Sequence, residues 1–216
     1  MNVLILAPHT DDGELGCGGT INRMTSHGHN VYYAAFSAAK NLIVEEKLPI
    51  PIDTLEKEVA IATKILGIPE QNLKIYDFPS RNFLQHRQEI LDTMVLLNKR
   101  IKPDLVFLPS TSETHQDHQV VSDEGFRAFK KTTIFGYELP WNNLSFKADV
   151  FITLEEEQVR KKVESILQYK SQSHRDYLSE DFFRCLATVR GIQVGVSYAE
   201  AFEVIRLIVG KNMLWL

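Results

Sequence analysis

Short, fully apolar runs alternate along this chain with longer stretches whose apolar positions recur every three or four residues. Val3-Leu4-Ile5-Leu6-Ala7 is an unbroken apolar run closed by Pro8, the pattern of a strand buried on both faces, so Asn2–Ala7 is expected as the first strand. Gly16, Gly18 and Gly19 are then expected to make a tight turn, and Thr20–His27 a helix stopped by Gly28. Val31–Ser37, with the β-prone Val31-Tyr32-Tyr33 and Phe36, is the second strand. Residues 38–52 contain Pro49 and Pro51 and read as irregular, a long connection of the kind that often carries function. Thr54 is suited to cap a helix that gathers Leu55, Val59, Ala62, Ile65 and Leu66 on one face and ends at Gly67.

The alternation continues. Leu73–Phe78 reads as a third strand, and Ile90, Met94, Leu97 and Ile101 place a helix over roughly His86–Ile101. Leu105–Leu108 is a fourth strand, Val120–Lys130 a helix, Thr133–Tyr137 a fifth strand and Val150–Ile152 a short further one. Glu155–Tyr169 is strongly charged and reads as a helix with a solvated face and i,i+4 ion pairs. Tyr198–Val209 mixes strand-prone Phe202, Val204 and Ile205 with helix-prone Ala199-Glu200-Ala201. Strands alternating with helices predict an α/β fold, a mostly parallel sheet covered on both faces in a three-layer α/β/α arrangement. No linker or repeat divides it, so one domain over 1–216 is expected.

Chemistry enters at two of the loops. His9-Thr10-Asp11-Asp12 follows the first strand, and His115-Gln116-Asp117-His118 lies beyond the fourth. In doubly wound sheets the first and fourth strands are neighbours across the switch point, where ligands bind. Two imidazoles, one carboxylate and an open position for water make a recurring catalytic zinc set, which His9, Asp12 and His118 can supply. Asp11 is left free beside it, as a general base must be. His115 could donate a proton or hydrogen bond to an oxyanion, with Asp117 orienting it and holding it protonated. The same ligands suit non-haem iron oxygenases, but those need more open positions and usually sit on a β-barrel. A dinucleotide site is excluded in detail: Ile21 stands where the third glycine belongs, and the second strand ends in Phe36-Ser37-Ala38 with no acidic residue.

Composition narrows the setting. The 24 basic and 28 acidic residues give a net charge of −4, which argues against nucleic acid or an anionic membrane as partner. Two cysteines, Cys17 and Cys185, build no disulfide scaffold or zinc knuckle, and Cys17 suits a small buried position. No run reaches membrane-spanning length and no signal-like segment precedes the first strand, so a cytoplasmic protein is expected. Trp215 would be costly to expose and points to a contact between copies in a homo-oligomer.

Ala7-Pro8-His9-Thr10-Asp11-Asp12 with Gly16-Cys17-Gly18-Gly19-Thr20, joined to His115-Gln116-Asp117-His118, resembles the PIG-L/LmbE-type N-acetylglucosaminyl deacetylases. The similarity runs from residue 1 to about 137 and more loosely through Ala199-Glu200-Ala201-Phe202. It implies a Rossmann-like fold and zinc-dependent removal of an N-acetyl group from an amino sugar, its glycoside or its nucleotide conjugate. Iron(II) accepts the same ligands. Carried over residue by residue, His9, Asp12 and His118 resemble the metal ligands and Asp11 the base. His115 resembles the oxyanion-stabilising or amine-protonating group, with Asp117 orienting it. Two positions depart from the family pattern: Thr10 replaces a proline, and Leu55 stands where many members carry a substrate-contacting arginine three residues before the glutamate matched by Glu58. Substrate contacts are therefore expected elsewhere, at Arg81 and Asn82 after the third strand and at Tyr137 and Trp141 around the fifth.

Overall fold

In a computed structural model of the chain, which describes residues 1–209, alternate residues of the first strand feed two separate cores. Val3, Ile5 and Ala7 of β1 (Asn2–His9) enter one, Leu4 and Leu6 the other, and all five are fully buried. The first core is closed by Leu15 and Ile21 of α1 (Asp12–Ser26), Val59 and Ala62 of α3 (Thr54–Ile65) and Val163 and Ile166 of α6 (Glu156–Ile166). The second is closed by Ile90 and Met94 of α4 (Arg87–Ile101) and Val120 and Val121 of α5 (Gln116–Ala128). Burial of each such side chain contributes roughly 1.5–3 kcal/mol. The expected three layers are present.

The sheet has seven strands in the order β3-β2-β1-β4-β5-β7-β6. Besides β1 these are β2 (Asn30–Ser37), β3 (Leu73–Ile75), β4 (Leu105–Pro109), β5 (Thr133–Tyr137), β6 (Val150–Leu154) and β7 (Tyr198–Arg206). β1 to β5 run parallel to one another, while β7 runs antiparallel to both β5 and β6. β1 lies directly beside β4, in the register Val3–Leu105 to Ile5–Phe107. Within Tyr198–Val209, Tyr198–Arg206 resolves as strand, because Ala199, Ala201 and Phe202 complete the sheet interior.

Two local expectations are corrected. The glycine-rich stretch after β1 is helix rather than turn: α1 begins at Asp12 and carries a non-helical residue only at Cys17. Its glycines serve packing, since a Cβ on Gly16 would overlap the Tyr137 ring and one on Gly19 would lie 2.5 Å from Leu154. Residues 38–52 include a short helix, α2 (Lys40–Glu45). α6 has the expected solvated face with an i,i+4 pair, Arg160–Glu164 at 3.2 Å, while its other side is buried against α1, where Lys162 pairs with Glu200 at 2.7 Å. Glu200 also accepts the N–H groups of Gly19 and Thr20, tying β7 to α1. The sequence pattern gave no warning of α7 (Glu180–Gln193). Among the described residues no helix is long and apolar enough to cross a membrane. Trp215 lies outside the described residues.

Candidate metal centre

Because β1 and β4 are adjacent and parallel, the segments leaving their C-terminal ends meet at one end of the sheet. His9 is the last residue of β1, Asp11 occupies the N-cap position of α1, and Asp12 opens that helix. His115 is the N-cap of α5, with Asp117 and His118 in its first turn. Helix N-termini favour the carboxylates placed there.

Asp12 Oδ2 accepts the His9 N–H at 2.8 Å. His9 Nδ1 and His118 Nε2 each lie 3.2 Å from that same oxygen, and 3.3 Å from one another. The far nitrogen of each ring faces a buried carboxylate: His9 Nε2 is 3.0 Å from Asp117 Oδ2, and His118 Nδ1 is 3.3 Å from Glu113 Oε2. A proton on the far nitrogen leaves a bare lone pair on the near one. His9 Nδ1, Asp12 Oδ2 and His118 Nε2 are then three acceptors in contact, an arrangement that needs a cation between them. Ligand atoms on a tetrahedral ion with bonds of roughly 2.0–2.1 Å stand about 3.3–3.4 Å apart, the spacing found here. The donor set fits a divalent metal.

His115 also brings a ring nitrogen within 4.8 Å of donor atoms of His9 and His118. Its Nδ1 accepts the Asp117 N–H at 3.2 Å, so in the neutral ring the proton sits on Nε2. In that tautomer the Nε2–H of His115 is a hydrogen-bond donor.

Electrostatics follow the same geometry. Burial works to lower the His9 pKa, but the carboxylates of Asp117 and Asp12 overcome it and raise it to about 9. Burial likewise opposes the charge on His118, yet Asp12 and Glu113 raise it to about 10. Asp12 is held far below the usual carboxylate range by His118 and His9, against the effect of burial. Asp11 is pushed up to about 6 by burial and by the neighbouring Asp12 charge. His115 is pushed down to about 4 by burial and by the charges of His118 and His9, which keeps it neutral.

The six loop residues meet as the sequence predicts, with one change of partner. The Asp117 carboxylate does not orient His115. It accepts from His9 Nε2, from Arg81 N at 2.6 Å and from Phe83 N at 3.2 Å, because the first turn of α5 points it back across the sheet end. His115 is not held protonated.

A cleft of about 230 Å³ opens over these groups and is lined also by Leu55, Arg81, Trp141, Asn142, Arg175 and Tyr177. Arg81 and Trp141 therefore reach the cleft, although the Arg81 guanidinium pairs with Glu46 at 2.7 Å. Asn82 does not line the cleft; its N–H closes a turn on Pro79 O at 3.2 Å. Tyr137 is fully buried beneath α1 and its hydroxyl donates to Leu6 O at 3.1 Å, so it is a packing residue and not a substrate contact. Leu55 stands at the cleft wall as an apolar side chain. Three neighbours escaped the sequence reading. Glu113 was within reach of it, an acid two residues before His115 in the same loop. Arg175 and Tyr177 were not, since nothing in their local sequence announces a return to the β1 end of the sheet.

These two come on the segment after α6, which is fastened by Glu58: its carboxylate accepts Ser171 N at 2.9 Å and Ser171 Oγ at 2.6 Å. Tyr177 stacks on Trp141 with ring centroids 3.9 Å apart. Below the site, Tyr33 and Tyr169 converge on the Glu14 carboxyl and on Thr10 O, bracing the first loop.

Residues 4–129 match the family model described as PIG-L: GlcNAc-PI de-N-acetylase. The chain is 30% identical over 174 residues to an uncharacterized deacetylase, YaiS, of Escherichia coli (strain K12), covering 78% of this chain and 90% of that protein. It is 24% identical to the diacetylchitobiose deacetylase of Thermococcus kodakarensis, covering 93% of this chain and 82% of that one. Among solved structures, the 4-carboxy-2-hydroxymuconate hydratase GalB of Pseudomonas putida KT2440 superposes with a TM-score of 0.80 at 18% identity, covering 98% of this chain and 99% of that chain. That last likeness is one of fold alone.

Proposed function

The chain belongs to the PIG-L (GlcNAc-PI de-N-acetylase) family, and on that premise we propose that it is a zinc-dependent hydrolase removing the acetyl group from an N-acetylated amino sugar, its glycoside or its nucleotide conjugate. The observation that carries this reading is the triangle of His9 Nδ1, Asp12 Oδ2 and His118 Nε2, at 3.2–3.3 Å, beside the uncommitted Asp11 carboxylate. His9, Asp12 and His118 would hold the ion, which when bound polarises the acetyl carbonyl and acidifies the attacking water. Asp11 takes a proton from that water as its oxygen bonds to the carbonyl carbon. His115 donates its Nε2–H to the carbonyl oxygen as negative charge develops there. The C–N bond then breaks as the proton held by Asp11 passes to the departing amine, and the acetic acid formed gives its remaining proton to solvent and leaves as acetate.

Binding falls to the cleft walls. A volume of about 230 Å³ lies below the range of roughly 300–1,000 Å³ usual for drug-sized ligands and suits a single sugar ring. Trp141 offers an aromatic edge and Asn142 an amide. Arg175 has no ion pair among the described residues; its Nε and one terminal nitrogen donate to Gln172 at 2.6 Å and Tyr177 at 2.8 Å. Its remaining donors suit sugar hydroxyls or an anionic aglycone. The likeness to a hydratase shows that this fold serves other water chemistry, so the test must span classes. Acetate release is measured for the zinc-loaded and iron(II)-loaded protein across N-acetyl sugars, their glycosides, nucleotide sugars and non-sugar acetamides. Release from the sugar members supports the proposal. Release only from non-sugar amides would make it a general amidohydrolase, and stoichiometric sugar binding without acetate release would make it a binding protein.

A further inference from the structure

We infer that Glu113 is a positioning residue that holds His118 with its Nδ1–H turned outward and its Nε2 lone pair turned into the metal centre. This rests on the metal reading above but concerns a group that takes no part in the hydrolytic steps. The Glu113 side chain is 0% exposed, and its Oε2 lies 3.3 Å from His118 Nδ1. Neither of its oxygens, nor His118 Nδ1, has another hydrogen-bond partner among the described residues. A buried carboxylate and a buried ring nitrogen, both without another partner among the described residues and 3.3 Å apart, complement one another. An unpaired buried charge is strongly disfavoured, and a carboxylate with a donor is not.

The backbone delivers the group to that place. Glu113 O accepts Gln119 Nε2 at 2.8 Å, and the residue forms an antiparallel bridge to Asn143. Thr114 is held on Asn142 O by both its N–H, at 2.9 Å, and its hydroxyl, at 2.8 Å. The loop after β4 is thus pinned at Glu113 and Thr114, which fixes where the Glu113 side chain leaves the backbone. The other imidazole has a comparable backing in Asp117, but that carboxylate is shared with the N–H groups of Arg81 and Phe83. Among the described residues the one ion-pair partner of Glu113 is His118. Hydrogen-bonded carboxylates behind metal-bound histidines fix the tautomer and increase ligand basicity, and their loss typically weakens metal binding roughly 10–100-fold.

The test is metal affinity and ring tautomer, not turnover. Zinc affinity is measured by chelator competition for the wild type, Glu113→Gln and Glu113→Ala, with thermal stability of each metal-free protein as control. The expectation is a roughly 10–100-fold loss of zinc affinity for both variants, accompanied at neutral pH by a fall in metal-free stability as His118 loses a buried carboxylate partner. Unchanged affinity in Glu113→Gln overturns the inference, as does a fall in metal-free stability with affinity intact, which marks a packing role. Proton–nitrogen correlation spectra of the metal-loaded wild type need no variant. A proton on His118 Nδ1 is expected, and a proton on Nε2 overturns the assignment. A wild type that takes up no divalent ion overturns the metal reading itself and this inference with it. A wild type that binds zinc but releases no acetate overturns only the proposed reaction and leaves Glu113 to be judged by its own measurements.

Discussion

Asp11 and Asp12 are adjacent carboxylates with opposite electrostatic fates. Asp12 is clasped by two imidazoles and stays ionised, whereas Asp11, buried beside that charge, is pushed up to about 6. A base must be deprotonated to work, so activity rises with pH through the Asp11 titration. A bound dication shifts that titration downward, so the acid limb of kcat/KM is expected at or below pH 6. A limb above pH 7 would remove Asp11 from the role. Asp11→Asn should retain stoichiometric metal and lose roughly 10²–10⁴ of kcat, read by steady-state kinetics beside metal analysis. His9 and His118, raised to about 9 and 10 without metal, give a second expectation. Metal must displace a proton from between them, so uptake at pH 7 should release at least one proton, measurable by calorimetry in buffers of different ionisation enthalpy.

At the scale of elements, the pattern of apolar positions placed the strands well and the glycines poorly. Gly16, Gly18 and Gly19 look like a turn in sequence because glycine usually ends helices. Here they let α1 lie against the Tyr137 ring, Lys162 and Leu154, contacts made by residues far along the chain. The same close approach explains why Tyr137, apparently an aromatic beside a binding loop, is consumed by packing. Gly16→Ala should therefore destabilise the protein by about 1–3 kcal/mol, read by denaturant unfolding, rather than stabilise the helix as an exposed glycine-to-alanine change would. The cleft wall contributed by residues 171–177 hangs on Glu58 in α3. Glu58→Ala should loosen that wall, raising KM and leaving zinc affinity unchanged. A parallel loss of zinc would place the tether inside the metal centre instead.

For the whole molecule, the decisive fact legible in the sequence was adjacency. Two acid–histidine loops after the first and fourth parallel strands meet because a doubly wound sheet sets β1 against β4. Side-chain direction was not legible: the turn of α5 that aims Asp117 at His9 rather than His115 depends on helix phase at its first residues. Nor could local pattern disclose the antiparallel β7, whose Glu200 reaches back to α1. Since the centre is assembled from distant segments, metal should stabilise the folded chain as a whole. At free zinc of 100 times Kd the gain is about 2.7 kcal/mol, a rise of roughly 5–10 °C in Tm that chelation should abolish. In the metal-free protein the raised His9 and His118 contribute stability that is complete below pH 6.5 and disappears as pH climbs through 9–10. Melting of the chelated protein should accordingly fall across that interval. The Glu58–Ser171 clasp has a consequence of another kind. In the proposed reaction, proton handling would fall to the ends of β1 and β4, whereas the substrate wall would be a strip, residues 171–177, fastened to the body by the Glu58 carboxylate and by the stack of Tyr177 on Trp141. Such a strip is a natural cassette: transplanting 171–177 from a relative, with its matching anchor in α3, should redirect selectivity while the hydrolytic apparatus is inherited intact.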